Sequence, residues 1–382
     1  MAFWRGVVFA LSLAFTPVFA QAQIIETDAD YAVIMDHETG EILWSKDADI
    51  PMVPASMTKM MTAYFVFDLI EQGEITLDDT IEVSADAWRR GGFPSGTSTM
   101  GLRPKERPTV EQLLHGLIIM SGNDACIVLG EGIAGSEQAF ARQMTERAHE
   151  LGLSSVNFVN ATGLEGDDHV VSSADLARLA RLIISDFPQY YSWYSKSEYT
   201  WGAYTQANRN PLLGTMQGAD GLKTGHLDES GYGLTASAVR DGTRRIIVIN
   251  GLPSKQARAQ EAERLMRMAF SAFETRTIEA GDQRLAELDV WMGDRRTVGV
   301  RLATSADVTA HKRAFAKGKS EIVYDKLIEA PITAGEEIAT LIVTIEGKEP
   351  IALPLVASED VARLGFVGKA IEGLSRMMDG GA

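Results

Sequence analysis

The hydrophobic pattern of the sequence changes at about Thr275, and this change limits the folds that the chain can adopt. Before this point, strand-like runs alternate with long apolar stretches of helical spacing. Beyond it, only short alternating runs follow, separated by turns such as Gly293-Asp294 and Gly347-Lys348. Evenly spaced short strands are typical of a small β-sandwich, so we predict two domains, 23–275 and 276–357. The runs of the second domain are Asp289–Met292, Thr297–Leu302, Asp307–His311, Glu321–Tyr324, Ile338–Ile345 and Ile351–Val356.

Two predicted hairpins enclose the helical part of the first domain. Tyr31–Asp36 and Glu41–Ser45 flank a turn, and Tyr232–Val239 and Arg244–Asn250 flank Arg240-Asp241-Gly242. An Asp-Gly turn between alternating runs is a strong hairpin signal. The order of strand pair, helices, strands and helix predicts an antiparallel sheet packed by helices with a helical insertion, an α/β (α+β) fold.

The segment from Asp86 to Gly101 is rich in glycine, serine and threonine. It contains Arg89-Arg90 followed by Gly91-Gly92, and no clear helical or strand period. Long segments of this kind in compact domains are often functional loops. We therefore expect a long, mobile loop here.

The first residues have the pattern of a secretory signal peptide, 1–22. Arg5 precedes an apolar run from Gly6 to Phe15, and small residues occur at Ala20 and Ala22. This arrangement is typical of a cleaved signal, and cleavage after either alanine fits it. An uncleaved membrane anchor is the alternative, but the apolar run is short for a bilayer. We expect export to the periplasm.

Composition excludes several classes of function. The formal net charge is -16, whereas a phosphate backbone requires a basic face, so nucleic acid is not an expected partner. The single cysteine, Cys126, allows no intramolecular disulfide and is expected to be a small buried residue. The six histidines are scattered without metal-ligand spacing, so we expect no metal and no other cofactor.

A helical stripe of apolar residues marks the C-terminal segment, 358–382. Its members are Val361, Leu364, Val367, Ile371, Leu374 and Met378. Such a helix either packs on the β-sandwich or lies on a membrane as an anchor. Acidic and basic residues are mixed in it, so electrostatic attraction to the inner membrane should be weak. Both interpretations stay open.

Three short motifs suggest nucleophilic catalysis. In Ser56-Met-Thr-Lys59, residues three apart share a helix face, so the lysine amine can activate the serine hydroxyl. Ser121-Gly-Asn123 breaks two apolar helical runs, and Lys223-Thr-Gly225 opens the last strand group. Each motif alone is weak evidence, but their order behind an export signal is specific.

The triplet resembles the penicillin-binding serine D-Ala-D-Ala carboxypeptidases of low molecular mass and, more distantly, the serine β-lactamases. Flanking residues extend the resemblance: Pro54-Ala55, Met60-Met61-Thr62, Asp124-Ala125-Cys126 and His226. It implies a penicillin-recognising serine hydrolase fold. It also implies release of the terminal D-Ala from peptidoglycan pentapeptide stems, with β-lactams as covalent inhibitors.

The resemblance implies catalytic roles for three residues and the backbone of a fourth. Ser56 attacks the carbonyl of the penultimate D-Ala, Lys59 is the base, and Ser121 relays the proton to the leaving amine. The oxyanion hole is expected from the backbone N–H groups of Ser56 and His226. For Ser121, capping of the following helix is the structural alternative.

Substrate-binding roles follow from the same resemblance. Asn123 is expected to bond a substrate amide, although helix capping is again the alternative. Lys223 supplies positive charge for the terminal carboxylate, Thr224 a hydroxyl, and Gly225 room for the substrate backbone. Arg258 is a candidate carboxylate ligand or else a solvated helix arginine. The His226 side chain is either structural or a substrate contact.

More than one function stays open at this level. A β-lactamase of the same fold needs a deacylating glutamate, and Glu165 does not stand in the usual Glu-x-x-x-Asn setting. A non-catalytic sensor of β-lactams or muropeptides would keep the fold without the reaction, and an endopeptidase would cleave cross-links with the same residues. The intact motifs favour the carboxypeptidase.

Overall fold

The computed structural model describes residues 25–164, 166–325 and 328–365. The predicted signal peptide, Glu165 and the part of the predicted tail from 366 onward lie outside these residues. The described chain divides between Ser271 and Ala272 into two compact units.

The first unit is built from alternating strands and helices, as predicted. Its elements are β1 (Tyr31–Asp36), β2 (Ile42–Lys46), β3 (Pro51–Met52), α1 (Lys59–Glu71), α2 (Ala85–Gly91), α3 (Val110–His115), α4 (Asn123–Ala134), α5 (Glu137–Glu150), β4 (Val171–Ser172), α6 (Ser173–Asp186), α7 (Pro188–Tyr191), β5 (Glu198–Trp201), β6 (Tyr204–Ala207), β7 (Ala219–Leu227), β8 (Gly231–Arg240), β9 (Thr243–Leu252) and α8 (Lys255–Ser271).

A five-stranded antiparallel sheet with the order β2-β1-β9-β8-β7 forms the centre of this unit. Arg240 pairs with Thr243, so the β8–β9 connection is the two-residue turn that the sequence predicts. Asp241 and Gly242 both have positive φ, as the favoured tight hairpin turn requires. Because β7 is an edge strand, one side of it is open to an added peptide strand.

Helix α1 is buried on almost every face. Apart from Asp68, Ile70 and Glu71, all of its residues are buried, including the polar Lys59 and Thr62. A helix that is apolar all round must lie inside the fold. The N-terminus of α1 therefore presents Lys59 from within the core.

The predicted mobile loop from Asp86 to Gly101 is wrong in its first part. Residues Ala85–Gly91 form α2, whose N-cap Ser84 accepts a hydrogen bond from the Ala87 N–H. Phe93–Ser95 then form a 3₁₀ turn. The Ser84 side chain thus satisfies one of the free N–H groups at the start of α2. The glycine-rich composition of the segment gave no indication of this helix.

From Ala272 to Gly365, the described residues of the second unit form β-strands and one short helix. Its elements are β10 (Phe273–Ile278), β11 (Ala286–Trp291), β12 (Thr297–Leu302), β13 (Ala306–His311), α9 (Lys312–Ala316), β14 (Lys319–Val323), β15 (Ile328–Glu329), β16 (Glu337–Thr344) and β17 (Ile351–Ala357). A six-stranded sheet has the order β14-β16-β17-β12-β11-β15, and β10 pairs with β13. Each of the six predicted runs overlaps a strand.

Both ends of this unit differ from the sequence prediction. The boundary expected at 275 falls inside β10, which pairs along its whole length with β13 and so belongs to the second unit. The helix expected over 358–382 does not include the first residues of that range, because Val361 bridges to Ile332 and Arg363 to Gly293. Val361 is buried in the core of this unit, and its extended backbone exchanges hydrogen bonds with Ile332. Within the described ranges, every helix is too short or too polar to cross a membrane.

Candidate active site

Ser56 lies in a 3₁₀ turn, Ala55–Thr58, that leads directly into α1. Ala55 has a φ of +49°, an unusual conformation for a residue with a Cβ atom. Backbone strain of this kind is found at functional sites when the surrounding structure enforces it. The Ser56 side chain is half-buried, whereas its neighbours Ala55 and Met57 are buried.

Lys59 is fully buried beneath Ser56. Its Nζ atom donates hydrogen bonds to Ser56 Oγ at 3.1 Å, Asn123 Oδ1 at 2.7 Å and the Thr162 carbonyl at 2.5 Å. Loss of hydration lowers the pKa of Lys59 from 10.5 to about 8, mainly because burial disfavours the charged amine. At neutral pH a measurable fraction of this lysine is therefore uncharged and able to accept a proton.

Ser121 and Asn123 approach Lys59 from the junction of two helices. A π-helical turn, Gly116–Met120, follows α3 and leaves Ser121 in the left-handed conformation with φ +61°. Asn123 accepts from Lys59 through Oδ1 and donates to Thr97 Oγ1 at 2.9 Å through Nδ2. No side chain caps α4, so the capping alternative for both residues is wrong.

Strand β7 brings Lys223 to the other side of Ser121. The Nζ atom of Lys223 donates to Ser121 Oγ at 2.9 Å and to the Thr224 carbonyl at 3.1 Å. Burial holds the pKa of Lys223 well below its ordinary value, and the nearby Lys59 lowers it further. Thr224 is buried beside it.

Gly225 has a packing requirement that the sequence interpretation missed. A Cβ atom at this position would lie 2.7 Å from the Pro54 carbonyl and 3.3 Å from the Ala55 Cβ. The absent side chain therefore lets β7 pack against the turn that carries Ser56.

His226 and Arg258 differ in their relation to the site. The exposed His226 ring packs against the Tyr232 ring, with centroids 3.8 Å apart and the ring planes tilted by 32°. Arg258 is buried in α8 with its guanidinium 5.8 Å from the Tyr232 ring centre, so it is not a solvated helix arginine. It connects to the site through Tyr232 and does not line the cavity at Ser56. Burial lowers the pKa of Arg258, and its Nε has no partner among the described residues.

A cavity of about 380 Å³ opens over Ser56. It is lined by Ser56, Gly96, Thr97, Ser98, Asn123, Gly163, Leu164, Arg209, His226 and Leu227. Arg209 is exposed and donates to Ser98 Oγ at 2.6 Å, and no sequence motif pointed to it. Among the described residues, no three His, Cys, Asp or Glu side chains lie close enough to hold a metal ion.

Asp124 is a second residue that sequence reasoning missed as part of the site. Its buried carboxylate accepts hydrogen bonds from the Thr99 hydroxyl and from the N–H groups of Met100, Gly101, Leu102 and Ala125, at 2.6 to 3.0 Å. The segment 99–102, which directly follows the cavity wall formed by Gly96, Thr97 and Ser98, is thereby fixed against α4. Its position directly after the Ser-Gly-Asn motif was the only available signal.

Cys126 is buried one turn into α4, as expected, and its thiol donates to the Gly122 carbonyl at 3.3 Å. Burial raises the pKa of this thiol to about 12. A thiol that remains protonated is a poor nucleophile. Cys126 therefore does not compete with Ser56.

A serine hydroxyl beside a desolvated amine, with a second serine–lysine pair opposite, defines a class of enzyme. These are serine hydrolases that form an acyl-enzyme without histidine or metal. The antiparallel sheet has its edge at β7, the strand that carries Lys223.

Comparison with known proteins gives the family. The model of the D-alanyl-D-alanine carboxypeptidase family matches residues 17–253, and that of the penicillin-binding protein 5 C-terminal domain matches 273–363. D-alanyl-D-alanine carboxypeptidase DacC of Escherichia coli K12 is 34% identical over 368 residues, covering 94% of this chain and 92% of that protein. The chain belongs to the D-alanyl-D-alanine carboxypeptidase family and is an enzyme of that type.

Solved structures agree with this assignment. The carboxypeptidase DacD from Francisella tularensis superposes with a TM-score of 0.76 at 30% identity, covering 92% of this chain and 98% of that one. Penicillin-binding protein D2 from Listeria monocytogenes in its ampicillin-bound form has a TM-score of 0.58 at 31% identity, covering 65% and 100%. The fold predicted from the motifs is confirmed.

Proposed function

We propose that this carboxypeptidase removes the terminal D-Ala from peptidoglycan pentapeptide stems through an acyl-enzyme on Ser56, and that penicillins acylate the same serine. The observation that carries this assignment is the 3.1 Å contact between Lys59 Nζ and Ser56 Oγ inside a buried site. The names of the relatives, and the ampicillin-bound neighbour, support the substrate and the inhibitor class.

In the acylation step, neutral Lys59 takes the proton of the Ser56 hydroxyl while Oγ attacks the carbonyl carbon of the penultimate D-Ala. Backbone N–H groups of Ser56 and His226 stabilise the oxyanion, since both residues line the cavity. The C–N bond then breaks. Ser121 relays the proton taken up by Lys59 to the departing amine, so that Ser121 ends protonated and Lys59 neutral. D-alanine leaves, and water later hydrolyses the ester at Ser56.

Electrostatics assigns different charge states to the two lysines. Each is desolvated, and the nearby Lys59 further disfavours a positive charge on Lys223. A substrate carboxylate next to Lys223 stabilises its positive charge and raises its pKa. Lys59 faces no such anion in this arrangement and remains the group that accepts the proton.

The substrate is proposed to extend along β7 as an additional strand. Asn123 Nδ2, which donates to Thr97 Oγ1, is then placed to turn to a substrate carbonyl. Thr224 and Arg209 are proposed to supply donors for the terminal carboxylate, because Thr224 directly follows Lys223 on β7, and Arg209 lines the cavity close enough for its charge to lower the pKa of Lys223. Arg258 acts from behind Tyr232, adding positive charge without direct contact.

The test is release of D-alanine from a diacetyl-Lys-D-Ala-D-Ala peptide, with intact-mass detection of a penicilloyl adduct. Ser56→Ala is expected to lose release by at least about a thousandfold and to form no adduct. Ser45→Ala, an exposed serine of β2, is the matched control and should behave as wild type. Retained release by Ser56→Ala would show that another residue is the nucleophile. Rapid turnover of the adduct favours the β-lactamase, and no release by the wild type favours the sensor.

We also propose that the protein acts in the periplasm and contacts the surface of the inner membrane. The signal-like segment 1–22 supports export, and the apolar stripe beyond Gly365 supports a peripheral membrane contact. Because residues up to Leu364 pair within the β unit, a truncation should end after Gly365. Loss of the truncated protein from the membrane fraction, with D-Ala release unchanged, is the expected result. Equal fractionation of both forms would refute the anchor.

A further inference from the structure

The turn 160–164 holds the carbonyl oxygen that Lys59 contacts most closely. Asn160 Oδ1 accepts hydrogen bonds from the N–H and hydroxyl of Thr162, at 3.1 and 2.9 Å, and from the Gly163 N–H at 2.8 Å. Asn160 Nδ2 donates to the Leu164 carbonyl at 3.0 Å. One side chain therefore closes the whole turn, and the Thr162 carbonyl projects from it toward Lys59.

Two helices anchor the same turn. The Ala161 N–H donates to Glu137 Oε1 at 3.1 Å on α5, and the Ala161 carbonyl accepts from Thr62 Oγ1 at 2.7 Å on α1. Thr62 lies one turn beyond Lys59, so the turn is fastened to the helix that presents the base. Displacement of the turn must change the surroundings of Lys59.

The turn also touches the residue that precedes the nucleophile. Gly163 has φ +74°, and a Cβ atom there would lie only 1.9 Å from the Ala55 carbonyl and 2.7 Å from Thr58 Oγ1. The backbone of Gly163 therefore packs directly on the 3₁₀ turn around Ser56. One short segment contacts both the base and the support of the nucleophile.

We propose that Asn160 is a positioning residue, whose side chain holds the Thr162 carbonyl against the Lys59 amine and so sets the direction of that amine toward Ser56. This inference rests on the proposed role of Lys59 as base. The carbonyl accepts one proton of the amine and Asn123 another. The remaining position of the nitrogen is thereby aimed at Ser56 Oγ.

The first test is the first-order acylation constant at saturating fluorescent penicillin, separated from the binding constant. Misplacement of a catalytic group by about 1 Å can cost up to about a hundredfold, so Asn160→Ala should lower acylation by about tenfold to a hundredfold with binding nearly unchanged. Asn160→Asp keeps the acceptor for all three donors but loses the donor to the Leu164 carbonyl and adds a negative charge that raises the pKa of Lys59. It should therefore recover most of the rate when both proteins are compared above the Lys59 titration, at about pH 10. Asn157→Ala removes a bond to the Asp168 carbonyl in the same segment and should leave the rate unchanged.

The outcomes separate a positioning role from general loosening. An equal loss in Asn157→Ala, an unchanged rate in Asn160→Ala, or no recovery in Asn160→Asp overturns the proposal. If Asn160→Ala does not fold, Thr162→Ala provides the second comparison. It keeps the carbonyl and the backbone donor, so acylation should fall less than about threefold. A larger fall, with thermal stability unchanged, also counts against Asn160.

The same series distinguishes failure of this inference from failure of the proposed mechanism. Lys59→Ala is expected to abolish acylation. If Lys59→Ala acylates like the wild type, the base assignment is wrong. If Lys59→Ala is inactive while Asn160→Ala is normal, only the positioning role is wrong.

Discussion

Acylation of Ser56 should follow the titration of Lys59. The pKa of about 8 that burial gives this lysine predicts the pH dependence. The neutral fraction is about 1% at pH 6, about 10% at pH 7 and about half at pH 8, so the rate should rise tenfold per pH unit below about 7 and level off above about 9. With an ordinary lysine, the rise would continue beyond about pH 10.

The measurement must separate acylation from binding, because Lys223 also has a lowered pKa. As the pH rises, Lys223 loses its charge and binds the inhibitor carboxylate less well. Stopped-flow acylation by a fluorescent penicillin at saturation reports the chemical step alone. Lys223→Arg keeps a positive charge throughout the range and is the control for binding, although its geometry differs from that of lysine.

Two results would refute the reasoning. One is a saturated rate that does not change between about pH 6 and 8, since the neutral fraction must change about fiftyfold there. The other is efficient acylation by Lys59→Arg, because an arginine stays protonated and cannot accept the serine proton. A rise that continues past about pH 10 would keep Lys59 as base but disprove its desolvation.

Three further predictions concern stability and packing. For Lys59→Met, removal of the buried charge should raise the free energy of unfolding near neutral pH by up to about 3 kcal/mol, the value of lowering the pKa from 10.5 to about 8, less the cost of leaving the Thr162 carbonyl and Asn123 Oδ1 without this donor. The gain should shrink as the pH rises through that interval, where wild-type Lys59 no longer carries a buried charge; a gain independent of pH contradicts this. Asp124→Asn should raise the KM for peptide and lower the free energy of unfolding by about 2 kcal/mol or more in urea denaturation, because an amide cannot accept all of its bonds; an unchanged KM would show that the wall is not held by Asp124. Gly163→Ala should lose D-Ala release and melt earlier, because its Cβ meets the Ala55 carbonyl, whereas Gly73→Ala, with open space at a similar φ, should keep activity.

Local patterns predicted most of the fold. The Asp241-Gly242 turn fixed the β8–β9 register, and period-two runs located the strands of the second unit. The errors at the two ends of the second unit have the same origin, because pairing with distant strands decides where β10 begins and how Val361 is used. The stripe from Val361 onward fits a helix, yet its first member is used as an extended residue in a β core. Tertiary pairing overrode local periodicity there, and nothing within the segment itself reveals the partner strands.

The sequence predicted the site residues that belong to the three motifs, but not those outside them. Ser56, Lys59, Ser121, Asn123 and Lys223 converge as the resemblance implied. The Thr162 carbonyl lies 103 residues from Lys59 in sequence, and a backbone oxygen leaves no residue-type signature. The roles of Asp124 and Arg209 could not be predicted for the same reason, because each role depends on which distant segment folds against the residue.

Deacylation is the step for which the described site offers the fewest groups that could activate water. The described residues that line the cavity are neutral or basic. We expect Lys59, or Ser121 together with Lys223, to activate the hydrolytic water. After peptide cleavage, D-alanine departs and leaves space beside Ser121 for that water. After penicillin opens, the leaving nitrogen stays bonded to the acyl group and occupies the same space. One set of residues thus turns over the peptide but retains the penicilloyl group, and a long-lived adduct on Ser56 is the expected consequence.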